Sequence, residues 1–224
     1  MSRTTRVLLG VAALTIAWVA QPLTSRAGTI TVYSNFAAGN SYDCCNGYTE
    51  SGAGSFTGFN SLQAMAFTNA TGQNLALTQI DIADSFVSGD NSMTLNLYAD
   101  NAGVPGAVLE SWTVNNLPAL GTCCAVSTVF DVAGVVLQNG ATYWLAPASD
   151  NSTWEAWNWN VIGANGAGAL STDVGATWAS GPYGPNGAFD VLGKPTVPEP
   201  PAVLLVGTAL AGILLGLHLL RRAG

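Results

Sequence analysis

The stretch that decides the fold is TLNLYADNAGVPGAVLESWTV, residues 94–114. Its first five residues alternate polar and apolar side chains, as a β-strand with one buried face does. The segment DNAGVPG at 100–106 is rich in turn-forming residues, and apolar residues return at 108–114. The stretch therefore predicts two strands that are joined by a turn.

Similar short segments recur along the chain, and no part of residues 28–193 has a sustained helical period. About ten strands of this kind predict an all-β fold, an antiparallel β-sandwich of jelly-roll type. The glycine-rich stretch 163–168 is expected to be a loop. Further strands are expected at 29–33, 64–68, 75–82, 126–132, 143–147, 154–161 and 188–192.

The charge of the chain restricts its function. Residues 28–196 contain 12 acidic residues, a single basic residue, Lys194, and neither arginine nor histidine. Phosphate binding needs clustered lysine or arginine, so nucleic acid is not expected as a partner. Because histidine is missing, this part of the chain cannot form a Ser-His-Asp or Cys-His catalytic group, or the usual zinc sites.

An apolar run of 19 residues without an acidic residue occupies positions 202–220. As a helix it would be about 28 Å long, enough to cross the hydrocarbon core of a bilayer. Prolines just before it prevent the helix from starting earlier, and Arg221 and Arg222 follow it. We therefore predict a transmembrane helix at 202–220 and a basic cytoplasmic end at 221–224.

Residues 1–27 begin with basic residues, continue with an apolar segment that is too short for a comfortable span, and end in small residues. This pattern predicts a signal peptide that signal peptidase removes before Gly28, with a cut after Ala20 as the second choice. The body, residues 28–193, is then exported, and residues 194–201 form a linker to the transmembrane helix.

Val197, Pro198, Glu199 and Pro200, followed by the apolar run and the arginines, resemble the PEP-CTERM sorting tail of Gram-negative bacteria. The resemblance implies that an exosortase recognises this motif in the membrane, cuts near it and passes the body towards the cell surface. The chain would be anchored in the inner membrane before processing and lie at the cell surface or outside the cell afterwards. Such proteins belong to organisms that make exopolysaccharide or biofilm matrix.

Stretches of the body also resemble the choice-of-anchor domains, most closely those of the R type. The members of this family are attached to alternative surface anchors, so the resemblance implies an exported β-domain and no particular reaction. The similar stretches are residues 33–36, 95–106, 109–112, 154–157 and 187–191.

The four cysteines are Cys44, Cys45, Cys123 and Cys124. An even number in an exported chain predicts disulfides, and four cysteines allow three pairings. Adjacent cysteines rarely bond each other, so we expect two cross-links from the first pair to the second, each worth about 4 kcal/mol. A four-cysteine metal site is the alternative, although the spacing of zinc sites is missing.

Tryptophans concentrate in one segment, with Trp154, Trp157 and Trp159 close together and Trp178 further on. Rings on a strand point alternately to its two faces, so at least one should reach solvent. Flat rings beside amides and carboxylates stack on sugars, so these four residues, with Tyr183, form a candidate carbohydrate-binding groove. The alternative is that they fill the core.

Carboxylates are the remaining reactive groups. Asp150 with Glu155, or Asp81 with Asp84, would be able to act as the acid and nucleophile of a glycosidase, which needs no histidine. Scattered acids on an exported protein more often form a solvated surface. We predict no cofactor, with calcium as the alternative, because the loops at 84–91 and 150–151 offer oxygen ligands.

The sequence therefore predicts an exported, membrane-anchored cell-surface or extracellular-matrix protein with a non-catalytic structural or adhesive role. The alternatives are a carbohydrate-binding module for exopolysaccharide and a carboxylate-dependent glycosidase. The expected partners are signal peptidase, exosortase and the membrane, with exopolysaccharide as the partner in the first alternative.

Overall fold

A computed structural model describes residues 28–123, 125–182 and 184–196. These residues form fourteen β-strands and no helix, which confirms the predicted all-β class for this part of the chain. Within the same ranges no helix is long and apolar enough to span a membrane. The predicted signal peptide and transmembrane helix lie outside the described residues, as do Cys124, Tyr183, Val197, Pro198, Glu199, Pro200, Arg221 and Arg222.

The strands are short and are connected by turns and loops. The first seven are β1 (Ile30–Ser34), β2 (Gly47–Ser51), β3 (Leu62–Thr68), β4 (Leu75–Ile82), β5 (Asp84–Ser88), β6 (Ser92–Asp100) and β7 (Pro105–Asn115). The other seven are β8 (Ser127–Phe130), β9 (Val136–Leu137), β10 (Thr142–Ser149), β11 (Trp154–Asn158), β12 (Ala167–Ser171), β13 (Ala179–Pro182) and β14 (Phe189–Pro195).

The described strands pair into three antiparallel sheets. The largest has six strands in the order β13-β12-β3-β10-β6-β7. A five-stranded sheet has the order β1-β14-β4-β8, with β9 also paired to β4, and a small sheet has the order β2-β11-β5. Each sheet contributes side chains to one hydrophobic core, so the arrangement is a β-sandwich-like fold.

The core lies between the six-stranded and five-stranded sheets. Leu97, Leu145 and Met65 are cross-strand neighbours on the inner face of the six-stranded sheet. Ile80 and Ile82 of β4, in the five-stranded sheet, belong to the same hydrophobic core. All five side chains are fully buried. Along β6 these buried positions alternate with half-buried polar ones, which is the pattern that predicted the strand from the sequence.

Three of the stretches that carry the family resemblance meet inside the fold. The side-chain amide of Asn35 donates to the carbonyl of Gly187 at 2.8 Å and accepts from the N–H of Phe189 at 2.7 Å. The Trp157 ring lies so close to Gly187 that a Cβ at that position would collide with it. These residues therefore pack together around the start of β14.

Two predicted boundaries need correction. The stretch 163–168 was expected to be a loop, but β12 begins at Ala167 because its backbone pairs with β13 and β3. The linker was expected to begin at Lys194, but β14 continues to Pro195, with Lys194 opposite Ala76 and Pro195 opposite Leu75. Both errors arise because pairing with a neighbouring strand extends strands beyond their apolar residues.

Candidate functional site

One predicted cross-link is present near the start of the small sheet. Cys44 and Cys123 form a disulfide with their Cα atoms 5.0 Å apart, and they are separated by 79 positions in the chain. The bond confirms that the loop before β2 is joined to the segment before β8. Cys45 is an exposed free cysteine in this structure, and Cys124, which the second predicted cross-link would need, lies outside the described residues.

Trp157 belongs to the hydrophobic core. Its side chain is fully buried, its ring lies 5.7 Å from that of Phe189, and its indole N–H donates to the carbonyl of Ala188 at 3.2 Å. A sugar cannot reach a ring with no exposed face, so Trp157 is not part of a surface groove in this structure. Asn158 on the opposite face of β11 is buried as well, so both faces of this strand are covered.

The other three candidate tryptophans are half-buried and lie in different places. Trp154 stacks on Phe56, with ring centroids 6.1 Å apart and planes 14° apart. Trp159 lies edge-on to Tyr48, and Trp178 lies edge-on to Tyr98 beside the outer face of the six-stranded sheet. The four tryptophans therefore do not line a single groove, and Trp154 is the member with a strongly exposed aromatic neighbour.

The small sheet brings together three carboxyl groups that are distant in sequence. Glu155 of β11 lies directly opposite Glu50 of β2, and Asp84 of β5 lies opposite Trp157, two positions further along β11. Because alternate residues of a strand share a face, all three carboxyls point to the same side of the sheet. Glu50, Asp84 and Glu155 have no exposed surface.

Few donors stabilise negative charge in this carboxyl cluster, which consists of Glu50, Asp84 and Glu155. The hydroxyl of Ser149 donates to Glu155 Oε2 at 2.6 Å, and the backbone N–H of Gln63 donates to Glu50 Oε2 at 2.9 Å. No lysine, arginine or histidine is available in residues 28–193 to neutralise the charge. Burial of the carboxylates is therefore not compensated by a cation from this segment.

Burial and mutual repulsion raise the pKa values of these groups. Burial, with the neighbouring Asp84 charge as a second cause, raises the pKa of Glu155 to about 9. Burial raises the pKa of Asp84 to about 7, against a smaller opposing effect of the Ser85 N–H. Burial also raises the pKa of Glu50 well above its ordinary value, and the charges of Asp84 and Glu155 add to this increase.

The carboxyl groups that the sequence suggested for glycoside hydrolysis do not form the expected pairs, Asp150 with Glu155 and Asp81 with Asp84, at the surface. Asp84 and Glu155 are buried in the small sheet, where neither meets solvent. Asp81 lies on β4 opposite Asp190 of β14, and burial, followed by the Asp81 charge, raises the pKa of Asp190 to about 7. A buried carboxyl is not accessible to a polysaccharide chain, so this arrangement offers no acid and nucleophile pair at the surface.

A cleft opens between the β2–β3 loop and the β10–β11 loop. Its wall consists of hydroxyls, amides and a few apolar side chains, and no charged side chain contributes to it. Ser149 lines the cleft and donates to Glu155, so the cleft lies next to the carboxyl cluster. The lining side chains are those of Ser51, Asn60, Ser61, Leu62, Ala148, Ser149, Asn151 and Val174.

Phe56 belongs to the loop on one side of this cleft, although its side chain is not one of those that line it. It lies on the loop between Gly52 and Asn60, both of which line the cleft, and 85% of its surface is exposed. Its stacking partner Trp154 pairs with Ser51, another lining residue. Phe56 was not among the candidate residues predicted from the sequence, although an aromatic ring within the polar, glycine-rich segment GAGSFTGFN is a signal for an exposed ring.

Among the described residues, no three His, Cys, Asp or Glu side chains are placed so that they could hold a metal ion. Comparison of the chain with protein-family models, with curated proteins and with solved structures finds no match.

Proposed function

We propose that this chain is an exported surface protein whose body is delivered by a signal peptide and then sorted by a PEP-CTERM-type tail that exosortase processes. Its role at the cell surface or in the extracellular matrix is structural or adhesive and not catalytic. The proposal includes the jelly-roll connectivity of the body, the signal peptide at residues 1–27 and the transmembrane helix at residues 202–220.

The observation that carries this proposal is where the last described strand ends. Strand β14 ends at Pro195, and the N–H of Thr196 donates to the carbonyl of Asn74 at 3.4 Å. Val197, the first residue of the sorting motif, follows immediately. A cut within the motif would therefore remove the tail without breaking a strand pairing of the body.

The position of β14 makes this boundary important. β14 lies between β1 and β4 in the five-stranded sheet, and its Phe189 and Val191 are fully buried. A cut within the strand would break backbone pairing on both sides and expose the core. The body is thus suited to release at the motif and poorly suited to release a few residues earlier.

The chemistry of the body supports a non-catalytic role. Residues 28–193 lack histidine and arginine, and Glu155 and Asp84, which were candidates for acid catalysis, are buried. The Cys44–Cys123 bond suits an oxidising compartment outside the cytoplasm. These features fit a stable exported domain that acts by contact with other molecules.

The proposal is tested by changing the motif in a host that contains an exosortase. In Glu199→Ala the chain should stay at full length in the membrane fraction, whereas the wild type should release its body. The matched control is Lys194→Gln, an exposed position in β14, which should be processed like the wild type. Normal processing of Glu199→Ala would contradict the proposal.

A further inference from the structure

We propose that the cleft beside Phe56 binds a neutral saccharide, with one sugar ring stacked on the exposed face of Phe56. A saccharide ligand would explain what the protein adheres to, and in that respect the inference rests on the proposed function. Binding at the cleft is measurable whatever happens to the sorting tail.

The first argument is the aromatic platform. Phe56 is 85% exposed, and one face of its ring is supported by Trp154 at a centroid distance of 6.1 Å and an angle of 14°. The loop that carries it is ordered by backbone bonds from Ser55 N–H to Gly52 O at 3.0 Å and from Gly58 N–H to Ser55 O at 3.1 Å. A preorganised flat ring is what the apolar face of a pyranose stacks on.

The second argument is the set of hydrogen-bond donors in the cleft. Asn60 Oδ1 accepts from the N–H of Ala53 at 2.9 Å, and Asn151 Oδ1 accepts from the N–H of Gly54 at 3.3 Å. These bonds orient both amides. Among the described residues neither amide nitrogen donates a side-chain hydrogen bond, so two oriented NH2 groups are available to hydroxyl oxygens.

The third argument is charge, which selects a neutral saccharide over an acidic one. The cleft is lined by no charged side chain, and the exposed Asp150 lies next to Asn151 in the chain. Residues 28–196 carry 12 acidic residues and one basic residue. A uronate or sulfated chain would meet repulsion without a cation to pair with, whereas the hydroxyls of a neutral sugar would not.

The experiment measures retention of the full chain, in mild detergent, on native gels that contain dextran, mannan, galactan or alginate. The wild type should be retarded by at least one of the three neutral polysaccharides and not by alginate. Phe56→Ala should lower the affinity at least fivefold, and Phe56→Tyr, which keeps the ring, should restore most of it. The matched control is Phe130→Ala, which removes another exposed phenylalanine from β8 in a different sheet.

Three results would overturn the inference: no retardation by any neutral polysaccharide, equal losses in Phe56→Ala and Phe130→Ala, or binding to alginate alone. Phe56 is mostly exposed, so its replacement should not unfold the protein, and an unchanged melting temperature verifies this. Failure of this test leaves the sorting proposal intact, because that proposal is judged by processing of the Glu199→Ala chain.

Discussion

Replacing Glu155 with glutamine should change how the stability of the protein depends on pH. Burial raises the pKa of Glu155 from 4.5 to about 9, with the charge of Asp84 as the second cause. Between these values the folded chain keeps a proton that the unfolded chain releases. The contribution of Glu155 to the free energy of unfolding should therefore be greatest below about pH 4.5 and should fall as the pH rises towards 9.

The size of the effect follows from proton linkage. One group that stays protonated only in the folded state lowers the free energy of unfolding by about 1.4 kcal/mol per pH unit. Between pH 5 and pH 8 Glu155 alone should therefore cost about 4 kcal/mol, a large part of the stability of a typical domain. Glutamine keeps the shape of the side chain and can accept from Ser149, but it has no proton to lose.

The assay is urea unfolding of the full chain in mild detergent at pH 5, 6, 7 and 8, followed by tryptophan fluorescence. The stability of Glu155→Gln relative to the wild type should increase by about 4 kcal/mol between pH 5 and pH 8. The matched control is Asp173→Asn. Hydrogen bonds from Thr177 and Ser171 lower the pKa of the exposed Asp173 to about 2, and its ordinary value is 3.8, so its effect should be constant over this range. Parallel pH profiles for Glu155→Gln and the wild type would refute the account of the carboxyl cluster.

Three further changes test the packing by urea unfolding. Gly187→Ala should lower the free energy of unfolding by about 1–3 kcal/mol, because the new Cβ collides with the buried Trp157 ring. The control Gly184→Ala should have little effect, because a Cβ at that position would meet its nearest atom, the Tyr48 hydroxyl, at 3.8 Å. Asn35→Ala should cost about 2–4 kcal/mol, because it leaves two buried backbone groups without their hydrogen bonds, and a loss below 1 kcal/mol would count against this role. Cys44→Ser should lower the free energy of unfolding by about 4 kcal/mol under non-reducing conditions, because it releases a long loop. An equal loss in the control Cys45→Ser, which removes a free thiol, would argue against a stabilising cross-link.

The sequence predicts β6 and β7 well because their pattern is local. Along β6, Leu95 and Leu97 alternate with Thr94 and Asn96, and a turn-rich segment separates this strand from β7. The apolar residues are buried, and the polar ones between them are half-buried. Any strand with one buried face carries this signal in its own residues.

Strands β2 and β5 are harder to predict, because they contain few apolar residues. Their sequences are GYTES and DSFVS. Each contains a carboxyl residue, Glu50 or Asp84, that the sequence alone would place at the surface but that is buried in the structure. Both strands form by pairing with β11, which is distant in the chain. The carboxyl cluster is therefore a product of pairing, and local residue patterns cannot reveal it.

The candidate cleft could be predicted only in part. At least one ring of the segment that contains Trp154 was expected to reach solvent, but alternation along the strand does not show that both faces around Trp157 are covered. Phe56 was missed because its role depends on stacking against a residue almost one hundred positions away. Contacts between distant loops follow from the fold and not from the spacing of residues.

The most direct test of the central claim is the intact mass of the protein from the membrane fraction and from the culture medium of exporting cells. The account predicts a species in the medium that begins near Gly28 and ends within Pro198-Glu199-Pro200, with the Cys44–Cys123 bond intact. Such a species would contain every described strand. A chain that keeps its whole tail and is found only in the membrane fraction would contradict processing at the sorting motif. A released body that ends inside β14 would contradict it as well.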